Sequence, residues 1–171
     1  MIYPVGPLAI PVWRMVHPKW QHAPFSGEGA RLSGGRWNMK GWPALYLATD
    51  TVTAVAEFYR DLPKPGMMVP YRLDSRSIAD LTDGSGEPAD SQVEKAATCA
   101  WDKIAKQDRE VPPSWTLAQE LIAAGADGAL VPSAQRRGGT NLVLWRWHDA
   151  DGDGDGAALT LLDPERALLG R

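Results

Sequence analysis

Apolar residues fall into short runs broken by proline and glycine, and their spacing changes along the chain. Residues 1–13 are apolar but carry Pro4, Pro7 and Pro11, so they read as an extended arm rather than a helix. Val12–Val16 reads as a short strand. Residues 17–43 mix glycine, proline, tryptophan and charge and read as a long ordered loop with short strands in it. Loops of that length without regular structure are usually functional. The run ALYLA, Ala44–Ala48, reads as a strand entering the core. Thr49 and Asp50 can cap a helix over about 51–62, which Pro63 and Pro65 stop. In that helix Val52, Val55, Ala56 and Tyr59 share an apolar face, and Glu57 at its edge points toward a cleft.

Met67–Leu73 reads as a strand and 74–90 as a polar, glycine-containing connection. From Ser91 to Lys106, Val93, Ala97, Ala100, Trp101 and Ile104 recur at helical spacing. A shorter helix covers Thr116–Ala124, capped near Ser114 and ended by Gly125. Ala129–Val131 is a short strand closing on Pro132 and Ser133, and 134–139 (AQRRGG) is a basic turn. Asn141–Trp147 is a strong strand, with Leu142, Leu144 and Trp145 among its apolar members. Ala157–Leu162 is another. Strands and helices mix over 1–171 without a repeat or a linker, which predicts one α+β domain with a mixed sheet.

Composition narrows the function classes. The chain has 171 residues, a net charge of −3 and 23% charged residues, within the ordinary globular range. Mild acidity argues against broad affinity for nucleic acid or anionic membranes, while leaving room for a local basic pocket. Cys99 is the one cysteine, so no internal disulfide forms, and a reducing compartment fits. MIYPVGPLAIPVWR lacks the basic run and long apolar core of a signal peptide, and no apolar stretch approaches the ~18 residues of a membrane span. A cytoplasmic protein is expected. His17, His22, His148 and Cys99 form no metal-ligand spacing, and Asp149–Gly156 lacks the closing glutamate of a calcium loop. No metal is expected. Trp20, in HPKWQH, is the tryptophan expected to be exposed.

The densest chemical signal is SGEGARLSGGRWN, residues 26–38. Glycine lets backbone approach a ligand closely, and arginine presents a planar fork to phosphate or carboxylate. Together they suggest an anion-binding loop. It is neither a Walker A sequence, lacking Gly-Lys-Ser/Thr, nor a GxGxxG dinucleotide fingerprint. A glycine-rich hairpin whose arginines pair with local acids is the other reading.

With its surroundings this segment resembles a known family. WRMVHP, SGEGARLSGGRWN, KGWPALYLA, AVAEF and VPSA are similar to RES-domain toxins over about residues 13–147. The family is named for an arginine, a glutamate and a serine, which match Arg36, Glu57 and Ser133. The Asp/Gly run near the C-terminus lies outside the pattern. The resemblance implies an ADP-ribosyltransferase-like fold of the diphtheria-toxin kind, a split mixed β-sheet with NAD+ in the cleft between its two portions. RES proteins break the nicotinamide–ribose bond. Some pass ADP-ribose to water or phosphate, and one branch passes it to a protein enzyme of nucleotide biosynthesis. The implied partner is an Xre-like helix-turn-helix antitoxin whose C-terminal part plugs the cleft.

The chemistry suits those residues. Cleaving the bond builds an oxocarbenium-like centre that a carboxylate can stabilise, the role expected of Glu57. Arg36 would clamp phosphate. Tyr46 would stack on nicotinamide or fix the ribose, and Ser133 would orient amide or ribose. Arg14 and Arg31 are second-rank phosphate contacts, and Asn141 is a weaker candidate. Without the resemblance, Glu57 reads as a solvent-facing helix glutamate, Tyr46 as a core tyrosine and Ser133 as a turn serine. A non-catalytic nucleotide or phospho-ligand binding module is the alternative function. A nuclease fits less well, since no basic face interleaved with aromatics is evident.

Overall fold

Alternation makes the longest strand. In β3 (Met67–Asp80), Val69, Tyr71, Leu73 and Ser75 are buried while Arg72, Asp74 and Arg76 between them are exposed. That period of two sets one face on a core and the other in water. The polar residues from 74 onward therefore extend the strand instead of starting the expected connection. The computed structural model describes residues 3–60 and 62–168. Residues 1–2 of the expected arm and Asp61 of the expected helix lie outside them.

The rest of the expected arm is a strand too. β1 (Val5–Val16) pairs antiparallel with β3 from Val5↔Ala79 to Val16↔Met67, with a register shift between Gly6 and Leu8, around Pro7. Its other edge carries a single pair, Trp13↔Ala48, with β2 (Leu45–Ala48). Proline is tolerated on such an edge because a missing ladder donor there costs little. β2 continues antiparallel into β5 (Thr140–Leu144) and β5 into β4 (Gly128–Pro132). β3 continues into β7 (Ala157–Leu161), and β7 pairs parallel with β6 (Trp147–Asp149). The two portions meet at Trp13↔Ala48 and at a short parallel ladder, Ile78↔Gly128 to Asp80↔Leu130. One mixed seven-stranded sheet with two narrow seams results, an α+β fold as expected.

The strand expected over Asn141–Trp147 divides at a seam. The Trp145 and Arg146 N–H groups both donate to the Asp127 carbonyl, at 2.8 and 3.1 Å, and the chain crosses to the other portion as β6. The buried Asp127 carboxylate holds this corner, accepting from Ser75 Oγ at 2.9 Å and Arg146 Nη2 at 2.6 Å. β5 is buried on both faces: Leu142 and Leu144 join a core with Leu45, Tyr71 and Leu159, and Val143 joins one with Trp37, Val93 and Leu117.

Helices cover the second core. The helix expected over 91–106 is two, α3 (Ser91–Thr98) and α4 (Trp101–Lys106), because Cys99 takes an extended conformation between them. α5 (Pro113–Ala123) starts earlier than expected, with Pro113 in its first turn where no N–H is needed. Residues 17–43 hold a 3-10 turn (Pro18–Trp20) and α1 (Glu28–Ser33) in place of the expected strands. Trp20 is exposed, as expected.

α2 (Thr51–Tyr59) is capped as expected, Asp50 accepting from Thr53 N at 2.7 Å. It ends at Arg60, whose left-handed φ of 43° turns the chain before the prolines are reached. Val52 and Val55 are exposed, contrary to the expected apolar face, while Thr53 and Ala54 are buried. Glu57, three and four residues on from that pair, shares their face.

The loop before α1 is pinned from β3. The buried Tyr71 hydroxyl donates to the Pro24 carbonyl at 2.5 Å, and Phe25 packs edge-on against its ring. Tyr71→Phe leaves that carbonyl unpaired and is expected to cost about 1–2 kcal/mol. Urea denaturation measures it as a lower midpoint at unchanged slope.

Candidate active site

The site is organised around a turn that only glycine allows. A Cβ at Gly35 would lie 2.6 Å from both Asn38 Oδ1 and the Tyr46 hydroxyl. Without one, Gly35 and Asn38 pair across the turn, and Tyr46 reaches its centre. The Tyr46 hydroxyl accepts from Trp37 N at 3.0 Å and donates to Asn38 Oδ1 at 2.7 Å. Buried Asn38 donates from Nδ2 to the carbonyls of Ala30 and Trp42, each at 2.9 Å. Two indoles clamp the same turn: Trp115 Nε1 donates to Gly35 O at 2.7 Å and Trp145 Nε1 to Trp37 O at 2.9 Å.

Burial pushes the Tyr46 phenol well above its ordinary pKa, against smaller opposing effects of Trp37 and Arg36. It stays neutral and hydrogen-bonded at physiological pH. Its hydroxyl is committed to the turn, which leaves its ring, not its oxygen, to meet a ligand. Tyr46→Phe is expected to cost about 1–3 kcal/mol of stability. Faster amide exchange at Trp37, read by NMR, would locate that loss in the turn.

Arg36 leaves this turn and reaches the end of α3. Its Nη1 donates to Cys99 O at 2.6 Å and Ala96 O at 3.5 Å, the carbonyls that a helix end leaves free. The break between α3 and α4 thus serves the arginine. Burial lowers the Arg36 pKa; Cys99, Glu57 and Tyr46 oppose that and Arg60 adds to it. A guanidinium remains cationic all the same.

Glu57 meets residues far along the chain. Its Oε1 accepts from Ser133 Oγ at 2.6 Å and from Asn141 Nδ2 at 2.7 Å. Ser133 Oγ itself accepts from Gln135 N at 3.2 Å and Arg136 N at 3.0 Å, so its own proton is directed at the carboxylate. The turn that supplies those amides is fastened to α2, for Arg136 Nη1 donates to Thr53 Oγ1 at 3.2 Å and lies 3.6 Å from Asp50. Glu57 is therefore not the free solvent-facing glutamate that the sequence alone allows.

Two hollows meet at Glu57. One, of about 260 Å³, is lined by Trp13, Arg14, Leu47 and Phe58 among others. The second, of about 380 Å³, is lined by Gly34, Gly35, Arg36, Trp37, Trp101 and Gln135 among others. Tyr46, Glu57, Arg60 and Asn141 wall both. A third hollow, of about 450 Å³, adjoins the second at Arg36, Pro132, Ala134 and Gln135 and includes Ser133.

The structure thus brings together Arg36, Tyr46, Glu57, Ser133 and Asn141, with Arg14 across the first hollow, where its Nη1 lies 3.4 Å from Ser26 O. Arg31 is not with them. It pairs with Glu28 one helical turn back, its side chain 41% exposed, and lines none of the three hollows. Arg60 was missed by sequence reasoning. Its Nε donates to the Glu57 carbonyl at 3.2 Å, and it sits three residues after Glu57. That spacing was the available signal. Trp101 and Gln135 carried none.

Known proteins bear on this geometry. The family model described as RES domain matches residues 11–164. The chain is 28% identical over 125 residues to a protein named Toxin Res from Photorhabdus laumondii subsp. laumondii, covering 71% of this chain and 75% of that protein. Its fold is similar to that in the crystal structure of the M. tuberculosis MbcT–MbcA toxin–antitoxin complex. The TM-score is 0.55 at 22% identity, over 98% of this chain and 92% of that one.

Proposed function

The chain belongs to the RES-domain toxin family, and from that premise we propose that it binds NAD+ across the two hollows and breaks the nicotinamide–ribose bond beside Glu57. The observation that carries this reading is the Glu57 carboxylate, held through one oxygen by Ser133 and Asn141 in the wall shared by both hollows. Arg36 supplies positive charge on the side of the second hollow, Arg14 on the side of the first, and Arg60 borders both. A dinucleotide with a pyrophosphate and a cationic leaving group matches this arrangement.

In the proposed reaction the C–N bond breaks and its electron pair leaves with nicotinamide, which becomes neutral. Positive charge spreads over the ribose C1′ and ring oxygen, where the Glu57 carboxylate stabilises it. An oxygen of water, phosphate or a protein side chain, one class of candidate being an enzyme of nucleotide biosynthesis, bonds to C1′ and gives its proton to solvent. Arg36 and Arg60 hold phosphate oxygens and fix the ribose against Glu57.

The proposal extends to physiology. NAD+ loss or target modification would poison the cell, so the chain would act in the cytoplasm as the toxin of a pair. The solved toxin–antitoxin complex supports an antitoxin as partner, and an Xre-like helix-turn-helix protein is the one proposed. Among the described residues, no helix is long and apolar enough to cross a membrane.

Proton NMR of the purified protein with NAD+ tests the reaction, with and without phosphate or desalted lysate. Nicotinamide released without lysate identifies water or phosphate as acceptor, and release only with lysate identifies a macromolecular one. No release from folded protein under any condition rejects the proposal in favour of a nucleotide-binding module.

A further inference from the structure

Asn141 has one amide atom in use and one idle. Its backbone is fixed between two strands, opposite Ala48 on one side and Val131 on the other. Its Nδ2 donates to Glu57 Oε1 at 2.7 Å. The amide cannot turn over, since its oxygen would then face the carboxylate. Asn141 Oδ1 is thereby left buried without a partner, the one such buried side-chain nitrogen or oxygen among the described residues. A buried unpaired acceptor is unfavourable, and this one sits in the wall shared by both hollows. It is an acceptor without a donor, and the orientation that leaves it so is the one that gives Nδ2 to Glu57.

Glu57 has the complementary asymmetry. Ser133 and Asn141 both donate to Oε1, while Oε2 makes no hydrogen bond among the described residues. Two donors on one oxygen fix the carboxylate plane and leave the other oxygen for the ligand.

We propose that Asn141 is a positioning residue: its Nδ2 fixes the Glu57 carboxylate and sets which Glu57 oxygen meets the substrate. The assignment of that substrate as NAD+ rests on the reading above.

Asn141→Asp tests this role. It places a second carboxylate within hydrogen-bond distance of Glu57, and two carboxylates that close hold one proton between them, which raises the pKa of the pair. Below that pKa, the introduced carboxyl donates its O–H to Glu57 as the amide did. Above it, the two charges repel. The surrounding charged groups are Arg14, Arg36 and Arg60, with Arg136 paired to Asp50 behind Ser133, and the titratable phenol is Tyr46. The arginines stay cationic and Tyr46 neutral between pH 5 and 8, so they shift the midpoint without adding a limb. Nicotinamide release by the variant is expected to approach the wild-type rate near pH 5 and to fall behind it about tenfold or more by pH 8. A profile parallel to wild type overturns the proposal. Asn141→Leu, which lacks the donor, is expected to lower kcat about tenfold with a smaller change in KM; kcat within twofold of wild type also overturns it.

A readout independent of turnover separates this inference from the NAD+ reading. The Asn141 side-chain amide signal of the ligand-free protein, followed by nitrogen–proton NMR, is expected to move in Glu57→Ala and to stay in Arg31→Ala. An unmoved signal in Glu57→Ala overturns the positioning role. A signal that moves in Glu57→Ala, alongside a wild type that releases no nicotinamide, upholds that role and removes the NAD+ reading alone.

Discussion

Replacing Glu57 by glutamine is expected to slow nicotinamide release by about 10²–10³-fold, the range seen when one electrostatic contact to a transition state is removed. Glutamine keeps the shape of the side chain. Its oxygen can still accept from Ser133 Oγ and Asn141 Nδ2, the two donors that meet Glu57 Oε1. Its nitrogen then takes the place of Oε2 and presents a neutral donor where a negative acceptor stood. The substrate ground state carries its positive charge on the nicotinamide ring, and that charge moves onto the ribose only as the bond breaks. The missing carboxylate is therefore felt chiefly in the transition state, and affinity should change only a few-fold. Single-turnover NMR measures the rate, calorimetry the NAD+ affinity, and a melting curve shows that the fold persists. Unchanged turnover would remove Glu57 from the chemistry and leave it as a structural link between α2 and Ser133. Lost affinity with unchanged rate would make it a binding group.

Much of this arrangement was legible in the sequence, and the parts that were not have physical causes. Strands buried on one or both faces, such as Leu45–Ala48 and Thr140–Leu144, carry their period in their own residues. β1 hides behind its prolines, which an edge strand tolerates, and the second half of β3 hides behind polar residues that face water at alternate positions. The ends of β5 and α3 were invisible for another reason. Both are set by tertiary partners, the Asp127 carbonyl for Trp145 and Arg146 and the Arg36 guanidinium for Cys99. The site divides in the same way. Arg36, Glu57 and Ser133 lie in motifs a family resemblance can carry. The resemblance ranks Arg36 above Arg31, but the pairing of Arg31 with Glu28 one turn back, which takes it from the site, is set by α1. The commitment of the Tyr46 hydroxyl to Asn38 and Trp37, and the idle oxygen of Asn141, exist only once distant segments have met.

Arg36→Ala is expected to weaken NAD+ binding about 10²-fold with a smaller change in kcat. The guanidinium is anchored at one end: Nη1 is taken by the carbonyls of Cys99 and Ala96. Anchoring fixes the plane of the fork, so little side-chain entropy is lost when its other nitrogens meet phosphate. Arg36 borders both the second and the third hollow, a position from which one fork can span two phosphate oxygens. Hydrogen bonds to charged groups contribute about 1.5–3 kcal/mol each, so losing the pair corresponds to roughly 10²-fold in affinity even after partial compensation by Arg60. Truncation also leaves the Cys99 carbonyl unpaired at the α3–α4 break, and some loss of stability must accompany it. Arg36→Lys separates the two effects. Its ammonium keeps the charge but cannot hold the helix end and a phosphate fork together, so it should recover only a minor part of the affinity. Calorimetry with NAD+ and with ADP-ribose, at two salt concentrations, reads the outcome. An electrostatic phosphate contact predicts that both ligands weaken alike in Arg36→Ala and that their salt dependence flattens. If affinity for both stays at the wild-type level while the melting temperature falls, Arg36 is a clasp for α3 and α4, and the phosphate contact passes to Arg60 and Arg14.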